Sequence, residues 1–267
     1  MNKSSAARQL RSFGGLLARD VSVLRHNVSE FLLRTLAQPV LFVFVFAYLF
    51  PHIGQGIGGG SARFASVLIP GLVAVTAVFA GVSTVSLPLA IEFGATREIE
   101  DRVTAPLPVW AIAVEKLVFG ALQSFVSAAV VLPLGMLISG SAIGVDVRNP
   151  GLLVAVAVLA CWISGALGLA VGTLVAPQRM GLVFSVLVVP LTFLGCVYYP
   201  WVALEPVRWL QIGVLANPVV YMAEGLRAAL TPDVPHMSAA VYLSVGTGLA
   251  LALTALGLRL FQRRVAI

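Results

Sequence analysis

The ionisable residues that could do chemistry are concentrated in one short segment, 92–108, which reads EFGATREIEDRVTAPLP. The runs on either side of it, 64–91 and 117–145, carry no charged residue. Its carboxylates and guanidinium groups can form ion pairs, but no histidine accompanies them to complete a catalytic cluster. Two interpretations stay open: a solvated loop, or a helix on which a cytoplasmic partner docks.

Local signals predict a short helix at 97–105 in this segment. Thr96 is a suitable N-cap, and Pro106 disfavours helical geometry at the residue before it. Glu98 and Arg102 have the favourable i, i+4 spacing with the acid first. Nine residues would extend about 13 Å along a membrane surface.

Motifs of enzymes and nucleotide-binding proteins are absent from the sequence. There is no GxxxxGK[ST] phosphate loop, no HExxH and no GxSxG. Cys161 and Cys196 lie in apolar runs without CxxC spacing, which predicts packed core thiols. We therefore predict no catalytic residue, no metal site and no cofactor site in this chain.

Composition identifies the class of protein that positions the charged segment. Of its 267 residues 59% are hydrophobic and only 10% are charged, and the mean hydropathy is +0.99. A soluble domain carries about 25% charged residues, so this chain is a polytopic membrane protein. The net charge of +6 reflects arginines that flank membrane spans and does not indicate a nucleic-acid partner. No cleavable signal peptide is predicted at the polar N-terminus.

The expected fold is all-α, a single transmembrane domain over 1–267. Apolar residues recur at spacings of three and four over 4–27, which predicts an amphipathic helix lying on the membrane surface, with its arginines near lipid phosphates. Six transmembrane helices should follow. They are expected near 31–50, 64–91, 110–138, 151–175, 181–199 and 237–258.

Residues 200–230 depart from the pattern of a simple span, because four charges and an Asn-Pro break interrupt the apolar run. We predict two short helices joined near Asn217, which enter the membrane from its outer face and return to it as a re-entrant hairpin. Pro200, Asn217 and Tyr221 would shape this hairpin, with Arg227 near the interface. It would either close the outer end of a pathway or act as a structural plug.

Charge placement predicts the orientation. Of the 17 lysines and arginines, eleven fall in segments that are cytoplasmic if the N-terminus is inside, and four fall in outer segments. The positive-inside rule therefore favours a multi-pass protein of the plasma (cytoplasmic) membrane with both termini in the cytoplasm.

Three stretches resemble the membrane subunits of type-2 ATP-binding-cassette exporters, which export drugs, lipids and polysaccharides. LIPGL at 68–72 resembles a motif in the second span of that family. EFGATREIEDRVTAPLPVWAIAVEKL at 92–117 resembles its short helix between the second and third spans. YYPWVALEPVRWLQIGVLANPVVYMAEGLR at 198–227 resembles its re-entrant hairpin. The match covers most of residues 65–230.

The resemblance implies a permease subunit without its own ATP site. ATP and Mg²⁺ would bind a separate cytoplasmic ATPase subunit, and a second permease subunit, identical or related, would complete the pathway within the membrane lipids. The cargo would be amphipathic, lipid-linked or drug-like, or a polysaccharide. The residues that would couple to the ATPase are Glu92, Arg97, Glu98, Ile99, Asp101, Arg102 and Val103. Those of the hairpin and outer gate are Pro200, Asn217, Pro218, Tyr221 and Arg227.

Three other classes remain as alternatives. A stand-alone secondary carrier or channel needs ionisable groups along its spans, and these are scarce here. A membrane-embedded lipid enzyme needs clustered His, Asp or Glu at one membrane face. A membrane anchor for a partner needs no transport pathway. Co-purification with an ATPase separates these classes.

Overall fold

The structure is a computed structural model, and it describes residues 14–15, 40–41, 44–49, 61–94, 108–139 and 145–266. Within these ranges the secondary structure is helical, with no strand. The predicted interfacial helix at 4–27, the span at 31–50 and the coupling helix at 97–105 lie wholly or largely outside the described residues, so they stay predictions.

Within the described part of the chain, four helices are long and apolar enough to cross a membrane. They are α1 (Ser61–Gly94), α2 (Val109–Ser139), α3 (Pro150–Leu174) and α8 (Ala239–Val265), numbered with the shorter helices below. Pro70, Pro88 and Pro133 lie inside α1 and α2 without ending them. The 34 residues of α1 extend about 51 Å, well beyond a hydrocarbon core of about 30 Å.

The start of α3 is capped by an Asn-Pro pair, which is a good N-cap and first-turn combination. The Asn149 side-chain oxygen accepts a hydrogen bond from the backbone N–H of Leu152 at 3.1 Å, and Pro150 occupies the first turn. Beyond the other end of α3, residues Pro177–Arg179 form a 3-10 turn. The sequence alone therefore predicts both ends of this span.

The predicted fifth span is short and irregular. It consists of α4 (Met180–Val183), a π-helical stretch Phe184–Val188 and α5 (Val189–Phe193). Together with the preceding turn it forms an apolar helix shorter than the four long ones. The count of six spans accordingly remains a prediction.

Residues 200–230 form two short helical arms with a break between them. The first arm contains a 3-10 turn Trp201–Leu204, α6 (Arg208–Gly213) and a 3-10 turn Val214–Ala216. Asn217 is extended, and α7 (Pro218–Leu230) is the second arm. The predicted pair of helices joined near Asn217 is therefore present, while its depth in a membrane stays a prediction.

Small residues bring α1, α2 and α3 into close contact. A Cβ atom added at Gly165 would lie 2.6 Å from the Leu117 carbonyl oxygen, and one at Gly168 would lie 2.7 Å from the Gly81 carbonyl oxygen. The hydroxyl of Ser124 on α2 donates to the Ala77 carbonyl of α1 at 2.9 Å. The glycines of α3 thus form a packing surface, as is usual where helices associate within a lipid phase.

Candidate functional site

Of the residues predicted to couple to an ATPase, Glu92 lies in the described part of the chain, and the others, 97–103, do not. Glu92 is in the last turn of α1, and its side chain is almost fully buried. The Lys116 ammonium of α2 donates to Glu92 Oε1 at 2.9 Å. This charge-assisted hydrogen bond joins the two helices that flank residues 95–107. We call it the Glu92–Lys116 bridge.

Three helices meet beside this bridge, at what we call the Phe93 end. The Phe261 ring of α8 packs edge-on against the Phe93 ring of α1, with centroids 5.5 Å apart. The Arg264 guanidinium lies over the same ring, 4.6 Å from its centroid, and donates to the Thr173 carbonyl near the end of α3. The end of α1 is therefore fixed by side chains of both α2 and α8.

The opposite end of the bundle, which we call the hairpin end, contains the predicted gate residues. Asn217 caps α7, with its side-chain oxygen accepting from the Val219 N–H at 2.9 Å. Its amide nitrogen donates to the Leu191 carbonyl at 2.7 Å. The Tyr221 hydroxyl donates to the Leu215 carbonyl at 2.7 Å, and so ties the second arm to the first. Pro200 precedes the first 3-10 turn, and Pro218 is the first residue of α7.

Arg227 is paired inside the protein. It forms an ion pair with Glu224, one turn earlier on α7, and both side chains are 0% exposed. A second guanidinium nitrogen donates to the Cys196 carbonyl at 2.8 Å and contacts the Val197 carbonyl at 3.5 Å. Every partner of the cation is therefore an acceptor, as burial of a charge requires.

The Glu224 carboxylate has a complementary set of partners. Its Oε1 accepts from the Trp201 N–H at 2.9 Å, and its Oε2 accepts from the Met237 N–H at 2.7 Å. These backbone groups lie at the start of the hairpin and just before α8. The pair of Glu224 and Arg227, here called the hairpin pair, thus joins three separate segments of the chain.

The connecting loops at the hairpin end are linked by exposed charges. Arg148 donates to Asp146 at 2.7 Å and to Asp233 at 2.9 Å. The hydrogen bond with Asp146, followed by that with Asp233, raises the pKa of the Arg148 guanidinium. All three side chains are at least half exposed, so we expect this cluster to contribute little to stability.

Sequence reasoning identified Arg227 but assigned no role to Glu224, Lys116 or Gly71. The i, i+3 spacing of Glu224 and Arg227 on an apolar helix was the available signal. A Cβ atom at Gly71 of α1 would lie 2.0 Å from the Val197 carbonyl oxygen, and such a contact with distant backbone leaves no signal in the sequence. Among the described residues no group of His, Cys, Asp and Glu could hold a metal ion.

The protein is thus a bundle of long apolar helices with the two arms of the hairpin at one end and the Glu92–Lys116 bridge at the other. A family model described as ABC-2 type transporter matches residues 11–231. This match covers most of the chain, which therefore belongs to the ABC-2 type transporter family and is a multi-pass membrane permease of that class. The search of curated proteins found no match.

Proposed function

We propose that this chain is the permease subunit of an ATP-driven exporter of the plasma membrane, with both termini in the cytoplasm. A separate cytoplasmic ATPase subunit binds ATP and Mg²⁺, and a second permease subunit, identical or related, completes the pathway. The cargo is amphipathic, lipid-linked or drug-like, or a polysaccharide. Family membership supports a role in ATP-driven transport.

The Glu92–Lys116 bridge is the observation that carries this proposal. It joins α1 and α2 on either side of residues 95–107, with both side chains less than 10% exposed. The end of α1 and the start of α2 would therefore move together when a partner acts on the intervening residues. This is the mechanical requirement for a segment that receives motion from an ATPase subunit.

The residues between the bridged positions supply the chemistry of docking. Glu98, Asp101 and Arg102 offer charges of both signs, and Ile99 and Val103 offer an apolar contact. Charge pairs that become desolvated at an interface can couple by about 1.5 kcal/mol or more, whereas exposed pairs contribute close to zero. We assign these residues, and Glu92 through its bond with Lys116, to ATPase coupling.

The hairpin is assigned to the outer end of the pathway. It lies at the opposite end of α1 from the bridge, and its two arms are tied by the Tyr221 hydrogen bond. Trp209 and Ile212 of α6 are exposed on the first arm, as is Phe193 before the hairpin. These apolar side chains suit contact with lipid or with the second permease subunit.

Purification of the chain with a co-expressed ATPase subunit tests the function. The double variant Glu98→Lys/Asp101→Lys should insert into the membrane but lose the ATPase, or retain it without export. The matched control is Glu205→Lys/Asp233→Lys, which makes the same change of charge at two exposed acids of the hairpin end. This control should bind the ATPase and hydrolyse ATP as the wild type does.

Two outcomes would count against the proposal. If no ATPase subunit is retained by the wild-type chain and transport proceeds without ATP, the chain works alone as a carrier or channel. If both double variants behave alike, residues 97–105 are not the docking site. The predicted interfacial helix at 4–27 would then be the next candidate.

A further inference from the structure

Gly71 marks a point where α1 touches the backbone of another segment directly. A Cβ atom at this position would lie 2.0 Å from the Val197 carbonyl oxygen and 2.8 Å from its Cα. Real Cβ contacts are never this short, and the obstructing atoms belong to backbone that cannot rotate away. The absence of a side chain at Gly71 therefore allows α1 to lie against the Val197 carbonyl group.

The backbone at this point, including the neighbouring Cys196 carbonyl group, is held from another direction by the hairpin pair. Arg227 donates to the Cys196 carbonyl at 2.8 Å and contacts the Val197 carbonyl at 3.5 Å. Cys196 has a φ of 53°, a left-handed conformation that a residue other than glycine rarely adopts. The backbone here is thus held in an uncommon turn whose carbonyl groups contact both α1 and α7.

The first arm of the hairpin is connected to this point through Glu224. Its carboxylate accepts the Trp201 N–H, and the Trp201 indole N–H donates to the Gln211 carbonyl of α6 at 3.1 Å. The Asn217 amide adds a third link, to Leu191 before the turn. Residues 191–230 are therefore cross-linked by hydrogen bonds into one unit, and this unit rests on α1 at Gly71.

We infer that Gly71 and the hairpin pair form the joint through which movement of α1 is passed to the hairpin. This inference rests on the proposed function, in which an ATPase moves the other end of α1. From Gly71 to Glu92 the helix is continuous and extends about 31 Å, so it can carry displacement between the two ends. Gly71, Glu224 and Arg227 are positioning residues in this scheme and need not touch the cargo.

The test uses the complex with its ATPase subunit and a bimane fluorophore on Trp209→Cys, a position on α6 that is 76% exposed. The native thiols of Cys161 and Cys196 are buried and should not react. Emission is compared without nucleotide and with ATP plus vanadate. ATP hydrolysis is measured in the same samples.

Gly71→Ala should keep most of the ATP hydrolysis but reduce the nucleotide-dependent emission shift to about half or less, because the added methyl group separates α1 from Val197. Gly165→Ala is the control for packing, since its Cβ would meet a carbonyl oxygen at 2.6 Å between α2 and α3, away from the joint. Gly248→Ala on α8 meets no atom within 4 Å and controls for the substitution itself. Both controls should keep the full shift.

Arg227→Lys provides a second variant if Gly71→Ala does not fold. Lysine keeps the charge but lacks the planar guanidinium group, whose separate nitrogens bind Glu224 and the carbonyl groups at the same time. The nucleotide-dependent emission shift should therefore fall again. A full shift in either folded variant, or an equal loss in Gly165→Ala, would overturn the inference. If the wild-type complex hydrolyses ATP but shows no shift, the inference fails while the proposed function stands. If the wild-type chain retains no ATPase subunit and its samples hydrolyse no ATP, the proposed function itself fails.

Discussion

Exchanging the two charges of the hairpin pair is the most informative perturbation of this fold. An ordinary ion pair retains its attraction when its partners exchange places. Glu224, however, accepts two backbone N–H groups, and Arg227 donates to backbone carbonyl groups. In the double variant Glu224→Arg/Arg227→Glu, a cation would face N–H donors and a carboxylate would face carbonyl oxygens. The exchange should therefore fail to restore stability.

The expected magnitude follows from the complete burial of both side chains. Removing one partner of a buried pair costs about 3 to 5 kcal/mol, because the remaining charge is left uncompensated. At roughly 2 to 4 °C per kcal/mol for a protein of this size, Glu224→Gln or Arg227→Gln should lower the unfolding midpoint by about 6 to 20 °C. The double exchange should be at least as unstable as either single variant.

The assay is the loss of the folded size-exclusion peak after heating in detergent. Arg148→Gln is the control, because it removes a cation from an exposed cluster and should leave the midpoint unchanged within about 2 °C. A double exchange that restores the wild-type midpoint would refute the reasoning, since it would mean that the backbone partners contribute little.

Other measurements test the remaining assignments. Asn217→Ala should lower the free energy of unfolding by about 1 to 3 kcal/mol, because it removes both the cap of α7 and the hydrogen bond to the Leu191 carbonyl. Asn217→Asp keeps only the cap, so its midpoint in the same heating assay should lie between those of Asn217→Ala and the wild type. Lys116→Met should lower the free energy of unfolding by about 3 to 5 kcal/mol, since it removes the ammonium bound to Glu92, and an unchanged midpoint in the heating assay would contradict the bridge. A cysteine at Gly58 should react with an impermeant thiol reagent in intact cells and Arg263→Cys should not, whereas labelling at 263 would contradict a cytoplasmic C-terminus.

Elements with local signals were predictable from the sequence. The third span was expected at 110–138 and is Val109–Ser139, because Pro106 and Pro108 precede the apolar run and a loop rich in glycine and serine follows it. The start of α3 and the break at 217 each depend on an Asn-Pro pair, whose capping and backbone restrictions act within a few residues. The second span was expected at 64–91 and is three residues longer at each end.

Features that depend on distant backbone were not predictable in this way. Arg227 was expected near the membrane interface, yet its partners include carbonyl groups about thirty residues earlier in the chain. Any residue type supplies a carbonyl, so no sequence pattern marks these contacts. The same holds for Gly71, where the LIPGL stretch gave a resemblance but not the physical reason for its glycine.

The buried charges also bear on the source of energy. A carrier driven by protons needs a carboxylate that exchanges protons with water during each cycle. Glu224 is fully buried, accepts a backbone N–H on each oxygen and binds Arg227, so its carboxylate holds three segments of the chain together. A structural use of the buried charge fits the proposed permease, which is moved from outside the membrane, and it makes the ATPase subunit the partner to seek first.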